Sequence, residues 1–353
     1  MNKKTIIMAM LAMVFGQADA QRVEVKSNVI NLGQVLFRAP VSAEFELKNT
    51  GGHPYIINKV RTSCGCTTVE YPHKAVAGGE AFTVKATYDA AVMGHFEKQV
   101  AIYSNAGEKP LYLTIKGIVV DEVVDYVGDY PYQLGELLAD ADNIEFDNVN
   151  QGDRPYMRFH IMNNSSRMAE PVVMHLPNYL KAEVSPSRLA PGRSGVVTIQ
   201  LNSNDLRDYG LTQTTVFLGL FPGDKVATNK AIDVSAVLLP NFGEMTAAEM
   251  EQAPRIELSA TMVDFDRKGK NKQRADILLT NVGKSELDIS ALQMFTTGLQ
   301  VSLNKTKLKA GESAHLRITG EMKELAKQHT KPRVLMITND PTTPKVIVGV
   351  TVK

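Results

Sequence analysis

The chain has 353 residues, 44% hydrophobic and 22% charged, a globular balance that excludes intrinsic disorder. That length predicts two or three domains, because single cores stop growing near ~250–300 residues. The 39 Lys and Arg nearly match 38 Asp and Glu, so the positive excess that coats nucleic acid or anionic membrane is missing.

At the amino terminus, Lys3 and Lys4 precede an apolar run from Ile6 to Phe15, and Ala18-Asp19-Ala20 supplies a small-x-small cleavage pattern. Together they predict a signal peptide over residues 1–20 and a mature start at Gln21. The apolar run is about ten residues long, whereas a membrane span needs ~20. Residue 21 is Gln rather than Cys, so no lipoprotein is expected. The expected location is the periplasm, with the cell surface or the medium as alternatives and no transmembrane segment after cleavage.

Three segments then share an order of landmarks. Phe45-Glu46-Leu47-Lys48-Asn49-Thr50-Gly51-Gly52 is a strand-like run ending in a polar turn, matched by Phe159 to Ser166 and by Ile277 to Lys284. A second turn follows each: Ala77-Gly78-Gly79-Glu80, Ala190-Pro191-Gly192-Arg193 and Lys309-Ala310-Gly311-Glu312. The period is roughly 115 residues, too long for a solenoid repeat and suited to β-sandwich domains of ~100 residues.

In chain order, Phe82, Val84, Ala86 and Tyr88 alternate with polar residues, a period of two with one buried face. Leu111, Leu113 and Ile115 close the first module, about 21–121. An acidic, Tyr-rich connector from Asp121 to Asp142 leads into the second module, 122–240, where Val197, Ile199 and Leu201 form the apolar face. A helical linker follows at 241–254, with Thr246 and Glu249 at capping-box spacing. The third module, 255–353, ends on the alternating Val346, Val348, Val350 and Val352, and a further helical turn is expected from Glu321 to Lys327. The fold class is all-β: three tandem immunoglobulin-like sandwiches with helices only at connectors.

Arg61-Thr62-Ser63-Cys64-Gly65-Cys66-Thr67-Thr68, the Ala77–Glu80 turn, Ala86-Thr87-Tyr88-Asp89, Ile102-Tyr103-Ser104-Asn105 and Ile115-Lys116-Gly117 stand in the order of a known family. The first module thereby resembles domain of unknown function 1573, an exported family of Bacteroidetes-type bacteria. The other modules resemble the broader group that holds PapD-like pilus chaperones and the cilia-associated HYDIN and ASH modules, with Thr338-Asn339-Asp340-Pro341 as a phrase of that kind. The resemblance implies a fold and a compartment, and no reaction. Modules two and three lack the Cys-Gly-Cys.

Cys64 and Cys66 are the only cysteines. A disulfide between them would limit the unfolded chain by only ~1.6 kcal/mol, against about 3 for a 15-residue loop. In a strand their Cα atoms would lie ~6.6 Å apart, at the edge of disulfide geometry, so Gly65 is expected to pucker the backbone. Such a ring would be strained and easily reduced, which makes a structural staple the weakest explanation. Two chemistries remain beside a plain packing role. One is thiol–disulfide exchange, with Lys59 and Arg61 favouring a thiolate. The other is a soft-metal site using Cys64, Cys66 and His73, suited to copper(I) more than zinc because no second Cys pair exists.

Other motifs have plainer explanations. Gly283-Lys284-Ser285 lacks the upstream glycine of a phosphate loop, since Leu278 stands there. Asp140-Ala141-Asp142 starts like a calcium loop, but Ile144 and Glu145 break the pattern. Arg267, Lys268, Lys270, Lys272 and Arg274 form a basic run without aromatic interleaving, read as an exposed hairpin loop rather than a site for an anionic polymer. None of the seven His is at i, i+4 spacing, and His160 and His175 fall in strand-like runs where a hydrogen-bonded structural role is the default. The sequence thus points to a non-enzymatic envelope binding or scaffold protein without a cofactor, its partner a protein or envelope polymer and not nucleic acid. The alternatives are a thiol-redox or copper-handling protein acting through Cys64 and Cys66, and a periplasmic assembly chaperone.

Overall fold

A computed structural model describes residues 22–124, 126–327 and 331–353. The expected signal peptide, Gln21 and His329 lie outside the described residues. The described residues are nearly all β, in six sheets.

In the first module the strands are β1 (Val23–Val25), β2 (Val29–Leu36), β3 (Val41–Asn49), β4 (Ile57–Thr62), β5 (Thr67–Glu70), β6 (Ala81–Tyr88), β7 (Gly94–Ser104) and β8 (Leu111–Val120). They form two four-stranded sheets, in the orders β1-β3-β6-β5 and β2-β8-β7-β4. Phe45, Leu47, Val84 and Ala86 from one sheet meet Val100, Ile102, Leu113 and Ile115 from the other in a single core. The expected period-two face holds, because Phe82, Val84, Ala86 and Tyr88 are all buried.

Downstream come β9 (Tyr132–Leu134), β10 (Leu137–Ala139), β11 (Asn143–Asn150), β12 (Tyr156–Asn163), β13 (Val172–Met174), β14 (Leu180–Ser185), β15 (Ser194–Leu201), β16 (Gly210–Gly219) and β17 (Ala231–Leu239). Their sheets run β14-β15-β12-β10-β9 and β11-β17-β16-β13. After α1 (Ala247–Gln252) follow β18 (Ile256–Leu258), β19 (Met262–Phe265), β20 (Lys272–Asn281), β21 (Leu287–Met294), β22 (Leu299–Leu303), β23 (Lys307–Leu308), β24 (Ser313–Glu321), α2 (Met322–Leu325), β25 (Arg333–Thr338) and β26 (Lys345–Val352). These make sheets β18-β20-β24-β22 and β19-β26-β25-β21-β23.

Each module opens the same way. Near its start an early strand pairs antiparallel in one sheet, and the chain then crosses to run parallel to the module's last strand in the other. So β1 pairs with β3 and β2 with β8; β10 pairs with β12 and β11 with β17; β18 pairs with β20 and β19 with β26. A parallel pair needs a long crossover, and here the whole module is that crossover.

A buried asparagine explains the repeated landmarks. Asn49, Asn163 and Asn281 are each 0% exposed. Asn49 donates to the carbonyls of His53 and Val76 and accepts from the Gly51 amide. Asn163 does the same with Arg167, Leu189 and Ser165, and Asn281 with Ser285, Leu308 and Gly283. Their backbone carbonyls accept from Gly79, Gly192 and Gly311. Those three glycines have φ of +83, +73 and +77°, in the left-handed region that a side chain disfavours. One buried amide thus ties the polar turn to the glycine turn in every module.

The residues group into two compact units, one of 22–124 with Ser185–Arg188, the other of 126–184 with 189–353. Inside the second unit, two sandwich cores are joined by a smaller cluster of Leu239, Leu335 and Ile337 with Tyr209, Leu211, Val237 and Ala291 around it. Gln293 locks this joint, accepting from the Leu211 amide at 2.7 Å and donating to its carbonyl.

Several sequence expectations change. The acidic connector is partly sheet: β9 and β10 belong to the second module, with Leu134, Leu137 and Ala139 buried in its core. Helix α1 has the expected capping box between Thr246 and Glu249, whereas α2 is shorter than the run from Glu321 to Lys327. The basic run divides, with Arg267, Lys268 and Lys270 in the turn and Lys272 and Arg274 on β20. His175 lies one residue beyond β13, with φ of +59°, edge-on to Phe217.

Candidate functional site

The Cys-Gly-Cys segment is the turn that carries the chain from β4 to β5, and so from one sheet of the first module to the other. Both strands are edges of their sheets. The turn is anchored at each end. The Ser63 amide donates to the Gln99 carbonyl at 2.9 Å and the Gln99 amide donates back to Ser63 Oγ at 3.0 Å. On the far side, the Asp89 amide donates to the Cys66 carbonyl at 3.1 Å. Thr62 Oγ1 donates to the Cys64 carbonyl at 2.8 Å, closing the turn on itself.

Cys64 and Cys66 are joined by a disulfide, with Cα atoms 5.2 Å apart. The expected strand geometry is not what forms it. A turn brings the Cα atoms closer than a strand allows, and Gly65 does so without a left-handed φ; a Cβ there would meet nothing within 4 Å. Glycine is therefore not sterically required between the cysteines. Both sulfurs are half-buried, and Cys66 packs against the module's core.

The polar neighbour of the sulfurs is Thr67, whose buried hydroxyl lies 3.6 Å from Cys64 Sγ and 4.0 Å from Cys66 Sγ. A disulfide sulfur has no proton, so the hydroxyl is the donor. Sequence reasoning passed over Thr67, although its place directly after the second cysteine was a signal. Of the two cations expected beside the pair, Lys59 is exposed on β4, and Arg61 lies over the Tyr103 ring, 5.9 Å from its centroid. Lys98 sits 5.4 Å from the ring centroid of Tyr88. Burial pushes the Tyr88 phenol above its usual pKa, with Asp89 adding to the shift.

His73 does not join the cysteines as a third ligand. It is exposed beyond β5, its ring tilted against Tyr71 at 4.6 Å. Among the described residues no three His, Cys, Asp or Glu side chains are arranged to hold a metal ion. The oxidised sulfurs also offer no thiolate, so a soft metal would need the pair reduced first.

Two further constellations lie in the second module. His160 Nδ1 is 2.8 Å from Asp140 Oδ2, Asp140 Oδ1 accepts from the His160 amide, and the Tyr126 ring stacks on the imidazole at 3.7 Å. This is the hydrogen-bonded structural histidine the sequence suggested, and it occupies the Asp140 that resembled a calcium ligand. Burial and the Asp140 carboxylate raise the Tyr126 pKa. A cavity of about 310 Å³ is lined by Leu134, Leu218, Leu220, Asp224 and Lys230 among others. Within it Lys230 Nζ donates to Asp224 at 2.8 Å. Burial alone would raise the Asp224 carboxyl. The Lys230 ammonium and the Leu220 and Lys225 amides more than offset that and hold it below the usual carboxylate range.

Residues 23–119 match the family model described as Protein of unknown function (DUF1573). Residues 254–352 match the HYDIN/CFA65/VesB-like, Ig-like domain. A crystal structure of a protein of unknown function from Porphyromonas gingivalis W83 is 23% identical, covering 62% of this chain and all of that one, with a TM-score of 0.51. The PapD-like domain 7 of human CEP192 is 10% identical over 34% of this chain and all of its own, with a TM-score of 0.26. The CupB2 chaperone of Pseudomonas aeruginosa is 9% identical over 60% of this chain and 98% of its own, with a TM-score of 0.21. No curated protein matches in sequence. These likenesses concern the fold: immunoglobulin-like, PapD-like β-sandwich.

Proposed function

We propose that the protein is an exported, non-enzymatic binding or scaffold protein of the cell envelope, acting in the periplasm. The observation that carries this reading is the open edge at β4. That strand is six residues long and ends its sheet, with β7 as its partner on the inner side. An open edge is a template for an added strand, in which backbone hydrogen bonds give affinity and alternate side chains give specificity. Ile57 and Val60 pack toward the core, while Lys59 and Arg61 are exposed two residues apart on one face. An extended segment with acidic residues at alternate positions suits that edge. No helix among the described residues is long and apolar enough to cross a membrane.

The test is a photo-crosslinking residue placed at Asn58 on β4 and, as a control, at Glu97 on the central strand β7. The expected result is a discrete adduct in the periplasmic fraction from position 58 and none from position 97. Identical adducts from both positions, or none from either, would overturn strand addition at this edge.

A further inference from the structure

We propose that the Cys64–Cys66 disulfide is a thiol-exchange centre that oxidises paired cysteine thiols in extended polypeptides. The ring encloses a single residue, so it restrains the unfolded chain little and stability does not account for it. Its turn bridges two edge strands, where an extended chain can lie alongside. Ser63 and Gly65 are exposed and a Cβ at Gly65 would meet nothing within 4 Å, so the approach is open. The anchors at Ser63–Gln99 and Cys66–Asp89 are backbone and hydroxyl bonds that do not depend on the sulfurs. Reduction therefore leaves the two thiols placed to close again.

The placement also orders the steps. Cys66 packs against the core, whereas Cys64 is outside that cluster. A client thiolate attacks Cys64 Sγ, forming a mixed disulfide as the Cys64–Cys66 bond breaks. Cys66 leaves as a thiolate and takes a proton from solvent; the Thr67 hydroxyl, 3.6 Å from Cys64 Sγ and 4.0 Å from Cys66 Sγ, is the donor beside each sulfur as it leaves. The second client thiolate attacks the client sulfur of the mixed disulfide, and Cys64 leaves and is protonated in turn. Two client thiols lose two electrons and two protons and become a disulfide; the protein's disulfide gains both and becomes a dithiol. One chain oxidises one client pair.

The test uses the full exported chain and a reduced linear peptide carrying two cysteines, with products read by mass. Wild type is expected to convert one peptide per chain and to become alkylatable at both cysteines while still folded. A Cys66→Ser variant loaded at Cys64 with 5-thio-2-nitrobenzoate should exchange that group for a one-cysteine peptide and hold the peptide on Cys64, and the Cys64→Ser/Cys66→Ser double variant should do nothing at an unchanged melting temperature. Thr67→Val should slow conversion about tenfold at neutral pH, with Thr67→Ser restoring it, since a hydroxyl donor to a thiolate is a charge-assisted bond. The proposal is overturned if the native disulfide survives excess peptide thiol and yields only on unfolding. It is equally overturned if the double variant oxidises the peptide as wild type does.

Discussion

Replacing the buried asparagine of one module by alanine is the sharpest test of how these sandwiches are held. In Asn49→Ala, the carbonyls of His53 and Val76 each lose a donor and the Gly51 amide loses its acceptor. Each such bond contributes a net ~1 kcal/mol, so the three together amount to about 3 kcal/mol, within a range of about 2 to 4. A module of roughly 100 residues loses ~4–8 °C per kcal/mol, so its transition should fall by roughly 10–25 °C. Calorimetry of the full chain reads this: Asn49→Ala should lower the first module's transition, and Asn163→Ala and Asn281→Ala should each lower the joint transition of the second and third modules, by a smaller ~2–4 °C per kcal/mol because that unit is larger. Hydrogen exchange adds a local readout. In Asn49→Ala the Gly51 amide should lose protection while the Gly79 amide, bonded to the backbone carbonyl of residue 49, keeps it. An Asp at the same position keeps the acceptor, loses both donors and buries a charge, so it should be at least as costly. Shifts under about 5 °C at all three sites would refute the reasoning, because ~1 kcal/mol is what a single bond contributes.

Three other outcomes follow from the same structure. Gly283→Ala would push a Cβ to 2.4 Å from the Arg255 amide nitrogen and 2.5 Å from the Ala253 carbonyl. It should cost about 1–3 kcal/mol in a urea melt, whereas Gly65→Ala should stay within about 0.5 kcal/mol and leave the disulfide able to form. Asp224 contributes stability that is present above its unfolded pKa of about 4 and is lost as pH falls through its lower folded value. Asp224→Asn should therefore flatten the acid limb of melting temperature against pH; parallel curves below about pH 4 would contradict the ion pair's role. Finally, Ile337→Ala should cost about 2–5 kcal/mol and split the joint melting of the second and third modules, because Ile337 is fully buried in the cluster between them. A single unsplit calorimetric transition would show that the cluster does not couple them.

What the sequence determined by itself is what short-range chemistry encodes. Period two in Phe82 to Tyr88 and in Val346 to Val352 declares strands with one buried face. Thr246 and Glu249 declare a helix start, and Gly79, Gly192 and Gly311 declare turns that recur with the module. Tertiary structure decided the rest. Asn49, Asn163 and Asn281 stand in the sequence where strand-like runs enter polar turns, and only folding shows each amide buried with carbonyls 26 or 27 positions downstream as partners. The connector's charge and tyrosines masked Leu134, Leu137 and Ala139, whose burial depends on a sheet formed by distant strands. In Val334-Leu335-Met336-Ile337 one apolar face fills its own core and the other meets the second module; a continuous apolar run reports two buried faces without saying what covers them. At the cysteines, spacing said that two sulfurs lie close. That a turn rather than a glycine pucker joins them, with the Thr67 hydroxyl beside the sulfurs and His73 exposed against Tyr71, depended on where two sheet edges meet, because side chains distant from a turn's own residues are brought to it by the packing of the sandwich.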